Sequence, residues 1–309
     1  MMAAIAGKGR PRLKRLAHKV VFPMLERGWE LGFLLAGLLF HPKVTLSRPS
    51  GSERVLVVAP HPDDETLGCG GTIAQHLEAG DQVCVLVVTD GGGSRAGGLG
   101  RDEIRRLRAT ETARAARSLG PVDLVQLGLP EGRWAPGDLL EHLVALLRSH
   151  APQLVYAPSC IDFHPEHVKV ARVLADALRS LEGSVRPKIR IYELQVPLTP
   201  ILANIAVEVG GAAAKKKARA LSDYRTQQGS LGHVPRQSRY LRRLYRSRHP
   251  LEVFWELDPE SYCRLMECGS TTAKYRGMRL RPLSDGLAWS AGAEERRRMK
   301  QLALGRTRS

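Results

Sequence analysis

Cysteine is scarce in these 309 residues and poorly placed for stapling the chain. The five that occur, Cys69, Cys84, Cys160, Cys263 and Cys268, are odd in number and scattered, with no C-x-x-C pair. That spacing excludes a disulfide framework and argues against zinc held by thiolates, and it suits a reduced, cytoplasmic setting. Long apolar runs are missing as well. The stretch Leu31 to Phe40 is uncharged, but Glu26, Arg27 and Glu30 interrupt what precedes it, and a bilayer span needs roughly 20 residues. The run starts too late for a signal peptide, and His41-Pro42 follows it in place of a cleavage site. Aromatics for base stacking are few: four Trp, five Phe and seven Tyr, with no RNA or DNA module signature around them. No G-x-G-x-x-G follows the first strand-like segment, which excludes an ordinary dinucleotide site.

What is abundant is positive charge, and it is unevenly spread. Residues 1–50 carry nine basic and two acidic side chains, residues 51–209 sixteen and twenty, and residues 210–309 twenty-two and nine. A mildly acidic centre between basic flanks divides the chain into a basic amphipathic N-terminal extension (1–50), a central catalytic domain (51–228) and a basic C-terminal extension (229–309) packed on or beside it. The flanks suit an anionic contact such as lipid head groups at the inner face of a membrane, a phosphorylated substrate or nucleic acid. In the N-terminal flank, Trp29 and Phe33 point to an interfacial helix with those rings in the head-group layer, or else to a helix packed on the core. In the C-terminal flank, six arginines from Arg236 to Arg248 surround Tyr240, Leu241, Leu244 and Tyr245, as in a basic amphipathic helix on an anionic surface or a solvated surface helix.

The centre alternates strand and helix signals. RVLVVA (54–59) and QVCVLVVT (82–89) are continuous apolar runs of the kind a buried parallel strand needs. Further strands are expected at 122–127, 154–157 and 188–194, with helices at 67–79, 102–119, 138–150 and 165–181. This alternation specifies a Rossmann-like, doubly wound, mainly parallel α/β sheet with helices on both faces. Such sheets bind ligands beyond the carboxyl ends of their strands. His61 to Glu65, Thr89 to Gly93, Gly128 to Trp134 and Pro158 to His167 all fall there.

Two of those loops carry paired ligand types. His61 and Asp64 are three apart in H-P-D-D-E, and His164 and His167 are three apart in H-P-E-H. Three protein ligands plus a water make a catalytic zinc site. Two ligands from one loop and one from the other leave Asp63 and the remaining histidine to move protons. One H-x-x-H alone would carry little weight; two such loops at one sheet edge carry much more.

Ala59 to Glu65 followed by Gly68-Cys69-Gly70-Gly71, together with Asp162 to His167, resembles the two signatures of the PIG-L (LmbE-like) deacetylase family. Arg108-Ala109-Thr110-Glu111 is similar to that family's Arg-x-x-Glu helix, and Lys217 to Gln227 to its late Lys-Ala-Leu stretch, with Tyr224 where many relatives have His and Thr226 where they have Ser. The likeness covers about Arg54 to Gln228. It implies one zinc ion per chain held by His61, Asp64 and His167, Asp63 as general base, and His164, preferably protonated, facing the oxyanion. The implied reaction removes acetyl from an N-acetylglucosaminyl conjugate, lipid-linked or anionic given the basic flanks. The same parts would serve a metal amidase acting on another N-acyl compound. A basic nucleic-acid-binding protein is the reading from a different class.

Around this centre, Glu166 is placed to orient an imidazole, and Asp90 either to do the same or to cap the glycine-rich turn. Arg95, Arg108, Glu131 and Asp162 are the candidate substrate contacts, although Arg108 and Glu111 have the spacing of an intrahelical pair. Cys69, small and between glycines, suits close packing better than nucleophilic work.

Overall fold

Strands that are apolar on both faces need cover on both, and helices supply it. The computed structural model describes residues 17–94, 98–181, 184, 186–194, 196–229, 231–267, 285–290 and 293–305. In chain order the helices are α1 (Phe22–Phe40), α2 (Asp64–Ala79), α3 (Arg101–Leu119), α4 (Pro136–His150), α5 (Pro165–Ser180), α6 (Gly211–Asp223), α7 (Val234–Leu244), α8 (Pro259–Glu267), α9 (Asp285–Ser290) and α10 (Ala293–Ala303). The strands are β1 (Thr45–Leu46), β2 (Arg54–Ala59), β3 (Gln82–Thr89), β4 (Asp123–Leu129), β5 (Leu154–Ala157), β6 (Lys188–Tyr192), β7 (Ile205–Glu208) and β8 (Leu251–Leu257).

They form one sheet in the order β1-β7-β8-β6-β5-β2-β3-β4. Strand side chains alternate between faces. Leu56, Val58, Cys84, Leu86, Val155 and Ile189 enter a core with α4 and α5, whereas Val55, Val57, Val85, Tyr156 and Tyr192 enter a second core with α2, α3 and α6. The doubly wound sheet is therefore the fold. From β2 the chain winds outward through β3 and β4 on one side and returns through β5 and β6 on the other. The gap between the ends of β2 and β5 is the switch point where such sheets open a crevice.

The departure from the expected pattern is β8. It runs antiparallel between β6 and β7, so the segment read as a C-terminal extension supplies an interior strand. Its Glu252 is buried and reaches into α2, which kinks at Cys69 (φ −146°, ψ 21°). A kink frees backbone N–H groups from their i−4 partners. Glu252 accepts those of Gly71 (2.8 Å) and Thr72 (2.7 Å), and also the Thr72 hydroxyl (2.5 Å). Lys217 of α6 donates to Glu252 (2.6 Å) and to the Leu67 carbonyl (2.9 Å). The glycines here allow close approach: a Cβ on Gly71 would stand 2.2 Å from Val209 Cγ1.

The flanking helices pair with each other. Phe33 of α1 is buried, stacked on Tyr240 of α7 at 4.7 Å and edge-on to Trp289 at 4.8 Å. Trp29 is partly buried and packs into the same cluster. These rings therefore face the protein and not head groups, because burying them against α7 and α9 satisfies their apolar area within the fold. Three arginines of α7, Arg236, Arg239 and Arg243, are likewise engaged. Arg239 pairs with Glu26 (2.9 Å) and Glu30 (2.6 Å), and Arg236 with Glu26 (3.5 Å).

Candidate active site at the switch point

The loop after β2 is set by an unusual backbone. Asp63 sits at φ 111°, ψ −25° as it caps α2, a conformation an L residue adopts only when its surroundings impose it. Its carbonyl accepts the Leu67 N–H (2.8 Å), and its own N–H donates to Glu65 (3.2 Å). Glu65 is anchored in turn by Thr66 (2.7 Å) and by the hydroxyl of the fully buried Tyr224. This turn directs His61, Asp63 and Asp64 into the crevice.

From the other side, the loop after β5 delivers His164 as the N-cap of α5 and His167 in its first turn. Asp162 holds both. Its Oδ1 accepts the His164 backbone N–H (2.9 Å) and its Oδ2 lies 2.9 Å from His167 Nδ1. That fixes the ring so that Nε2 points at the first loop. Three atoms converge there: His61 Nδ1 and Asp64 Oδ2 are 3.1 Å apart, His61 Nδ1 and His167 Nε2 3.2 Å, and His167 Nε2 and Asp64 Oδ2 3.2 Å. The ring of His164 stands edge-on to that of His61, centroids 4.5 Å apart. Donor atoms of His61, His164 and His167 lie close enough together to hold a metal ion.

Burial and charge separate the four acidic and basic groups. Burial pushes the Asp63 carboxyl well above the ordinary carboxylate range; Arg108 (3.4 Å) opposes this, and Asp64 and Glu65 add to it. Asp64 feels the same burial, yet His167 and His61 outweigh it and hold the group well below that range. Burial also works against charge on His167, but Asp64 and Asp162 overcome it and raise the imidazole. His164 is pushed down to about 3 by burial and by the neighbouring His61 and His167. It is therefore neutral at physiological pH, against the protonated form expected from the sequence.

Several expected roles fall to other residues. Glu166 does not touch an imidazole: it accepts the Gly132 N–H (3.1 Å) and the Trp134 indole N–H (2.5 Å), bracing the loop after β4. Asp90 accepts the Gly92 and Glu131 N–H groups (2.8 and 3.2 Å) and pairs with Arg105 (2.7 Å), so it caps the glycine-rich turn. The imidazole-orienting position belongs to Asp162, which was expected to meet substrate. Arg108 is buried; it donates to the Pro62 carbonyl and faces Asp63, while Glu111 is taken by the N–H and hydroxyl of Thr226 (3.0 and 2.6 Å). The two do not form the intrahelical pair that their spacing allows, because each has a nearer partner across the fold. Gly91 has φ 62°, and a Cβ there would stand 2.4 Å from Arg108 Nε, so the glycine is what lets that arginine lie under the loop. Glu131 does line the site, its Oε1 3.6 Å from His61 Nε2 and its Oε2 accepting the Gly93 N–H (2.8 Å). Arg95 lies outside the described residues. Cys69 is buried, donates to the Glu65 carbonyl (3.3 Å), and has its thiol pushed well up by burial, as a packing cysteine should.

A second acidic and imidazole cluster, Glu53, His76 and Asp81, is of another kind. Both nitrogens of His76 are committed, to Asp81 (2.6 Å) and to the Tyr156 hydroxyl (2.9 Å), and Asp81 also accepts the Glu53 N–H (2.8 Å). It is a structural network.

Arg105, Tyr224, Lys217 and Glu252 were not foreseen in these roles, since their partners are remote in sequence. Asp162 left a trace: an aspartate two residues before His164 can accept that residue's N–H, the Asx-turn pattern.

Comparison with known proteins places this geometry. The PIG-L family description, GlcNAc-PI de-N-acetylase, matches residues 56–178. A 1D-myo-inositol 2-acetamido-2-deoxy-alpha-D-glucopyranoside deacetylase from Kineococcus radiotolerans is 30% identical over 201 residues, 51% of this chain and 56% of its own. The chain thus spans little more than half of that relative's length. Among solved structures, the conserved protein TT1542 from Thermus thermophilus is 30% identical, with a TM-score of 0.53 over 65% of this chain and 93% of its own. The N,N'-diacetylchitobiose deacetylase from Pyrococcus horikoshii shares the fold, with a TM-score of 0.54 and 23% identity over 67% of this chain and 85% of its own. With the switch-point crevice, both histidine loops and these likenesses in agreement, the chain belongs to the PIG-L family.

Proposed function

We propose that the chain is a zinc-dependent hydrolase that removes acetyl from an N-acetylglucosaminyl conjugate. The observation that carries this reading is the triangle of His61 Nδ1, Asp64 Oδ2 and His167 Nε2, with edges of 3.1, 3.2 and 3.2 Å. Ligands about 2.05 Å from a tetrahedral zinc stand roughly 3.3 Å apart, so this donor set fits the ion without rearrangement. The buried Nε2 of His61 and Nδ1 of His164 have no hydrogen-bond partner, so His164 remains free to address a substrate. The names of the relatives, which act on acetylated glucosamine units, supply the substrate class.

Zinc in this position supplies Lewis acidity toward the acetamide carbonyl and a more acidic water. Asp63 is the base in this reading. Its raised carboxyl accepts a proton from the attacking water and holds it long enough to return it to the leaving amine. Asp64, held low, stays ionised beside it, so neighbouring carboxylates take different tasks. His164, being neutral, offers one N–H to the oxygen that gains charge and contributes a directed hydrogen bond without a full charge. Arg108 beneath Asp63 limits how far burial raises that carboxyl. Glu131 stands at the crevice mouth, where a sugar hydroxyl would find an acceptor.

Metal analysis with acetate release from a panel of N-acetylglucosaminyl conjugates tests the proposal. The expected result is about one zinc per chain, acetate formed, and both lost in His61→Ala. Folded protein that takes up no metal overturns it; metal without acetate release moves the substrate to another N-acyl class. Asp162→Asn is expected to weaken zinc binding by about 10- to 100-fold, because a single, uncharged amide oxygen cannot accept from both the His164 N–H and the His167 ring. Competition with a chelator reads this directly, and unchanged affinity would mean that packing alone orients the ring.

A further inference from the structure

The docking of α1 through Trp29 and Phe33 leaves its other side bare. On a helix, positions 24, 31, 35 and 38 share one side, with 39 adjoining. Met24, Leu31, Leu35, Leu38, Leu39 and the terminal Phe40 are 43 to 77% exposed. Most of the large exposed apolar side chains among the described residues belong to α1 and its immediate flanks, and a continuous apolar stripe of this kind marks an interaction surface.

Charge identifies what covers it. The first fifty residues contain only two acidic side chains, Glu26 and Glu30, and both are turned inward onto Arg236, Arg239 and Arg243 of α7. The outer side of α1 therefore presents no negative charge. Arg27 borders the stripe, Lys19 precedes it and Lys43 follows it, all exposed, and Lys8, Arg10, Arg12, Lys14 and Arg15 stand earlier in the chain. A protein partner would need a matching apolar groove with acidic rims; a bilayer with anionic head groups offers both requirements at once. No helix among the described residues is long and apolar enough to cross a membrane.

We propose that α1 is an interfacial anchor, its Met24-to-Leu39 stripe seated among the acyl chains of an anionic lipid surface while Phe33 and Trp29 hold the rest of the protein to it. This is independent of the chemistry assigned to the crevice. The test is sedimentation of the full chain with vesicles of phosphatidylcholine, with and without phosphatidylglycerol, using Leu31→Glu/Leu35→Glu and, as a control elsewhere on the surface, Leu304→Glu. Wild type is expected to sediment with the phosphatidylglycerol vesicles and to be partly released by salt. The double variant should lose about a hundredfold in partitioning, with Tm unchanged because both leucines are exposed, and the control should behave as wild type. Wild type that stays in the supernatant, a double variant that partitions as well as wild type, or equal binding to neutral vesicles overturns the proposal. So does a dimer in light scattering that the double variant splits, since the occupant would then be a second copy of the chain.

Discussion

Asp63→Asn should lower kcat for acetate release by about a thousandfold and leave the metal in place. The substitution isolates the proton-transfer role for two reasons. Asn keeps the size of the side chain and tolerates positive φ better than most residues, so the turn at φ 111° survives. It cannot accept a proton, however, and the buried carboxyl whose affinity for one is raised by its surroundings disappears. The residual rate would reflect the crevice, His164 and the bound metal alone. Steady-state acetate release with metal analysis on the same sample reads both quantities. A variant with wild-type kcat would move the base to another group, with Glu131 the next candidate; one that loses its metal would make Asp63 part of the binding shell.

Lys217→Met should cost about 3–5 kcal/mol of stability. The pair it breaks is little exposed on either side, with 15% and 6% of the Lys217 and Glu252 side chains accessible. Removing the ammonium leaves a buried carboxylate with hydrogen bonds but no counter-charge, and it also orphans the Leu67 carbonyl. Glu252→Gln should cost less, because an amide oxygen can still accept from Gly71 or Thr72. The double variant should fall short of the sum of the two, since each removes what the other needs. Denaturant midpoints give the comparison; a loss under about 1 kcal/mol for Lys217→Met would put the pair in the class of screened surface bridges.

Much of this was legible from spacing alone. The strands at 54–59, 82–89 and 154–157 coincide with β2, β3 and β5, because buried parallel strands advertise themselves as continuous apolar runs. The convergence of the two histidine loops follows from the same pattern, since loops after neighbouring parallel strands end on one edge. Hidden from the sequence were features set by remote partners. Nothing around Glu252 announces that Leu251–Leu257 enters the sheet antiparallel, or that its carboxylate caps a kinked helix. The direction of Trp29 and Phe33 could not be read either, because α1 is apolar on both sides and only Glu26 and Glu30, through their arginine partners, decide which side faces the protein. Among the site residues, Glu166 is taken by Gly132 and Trp134 of a loop more than thirty positions away, and the imidazole is held by Asp162.

The bond from Gly71 to Glu252 joins positions 181 residues apart, and this has a consequence for the order of assembly. A ribosome delivers the chain from its N-terminus, so both histidine loops emerge long before the strand that braces α2 behind them. Contacts of such separation form late, after the entropy of closing the intervening chain has been met. During synthesis the helix that begins at Asp64 has no acceptor for the N–H groups its kink exposes. The acceptor for the kink in α2 thus arrives only with Leu251–Leu257, the strand that lies between β6 and β7, well after both histidine loops have been made.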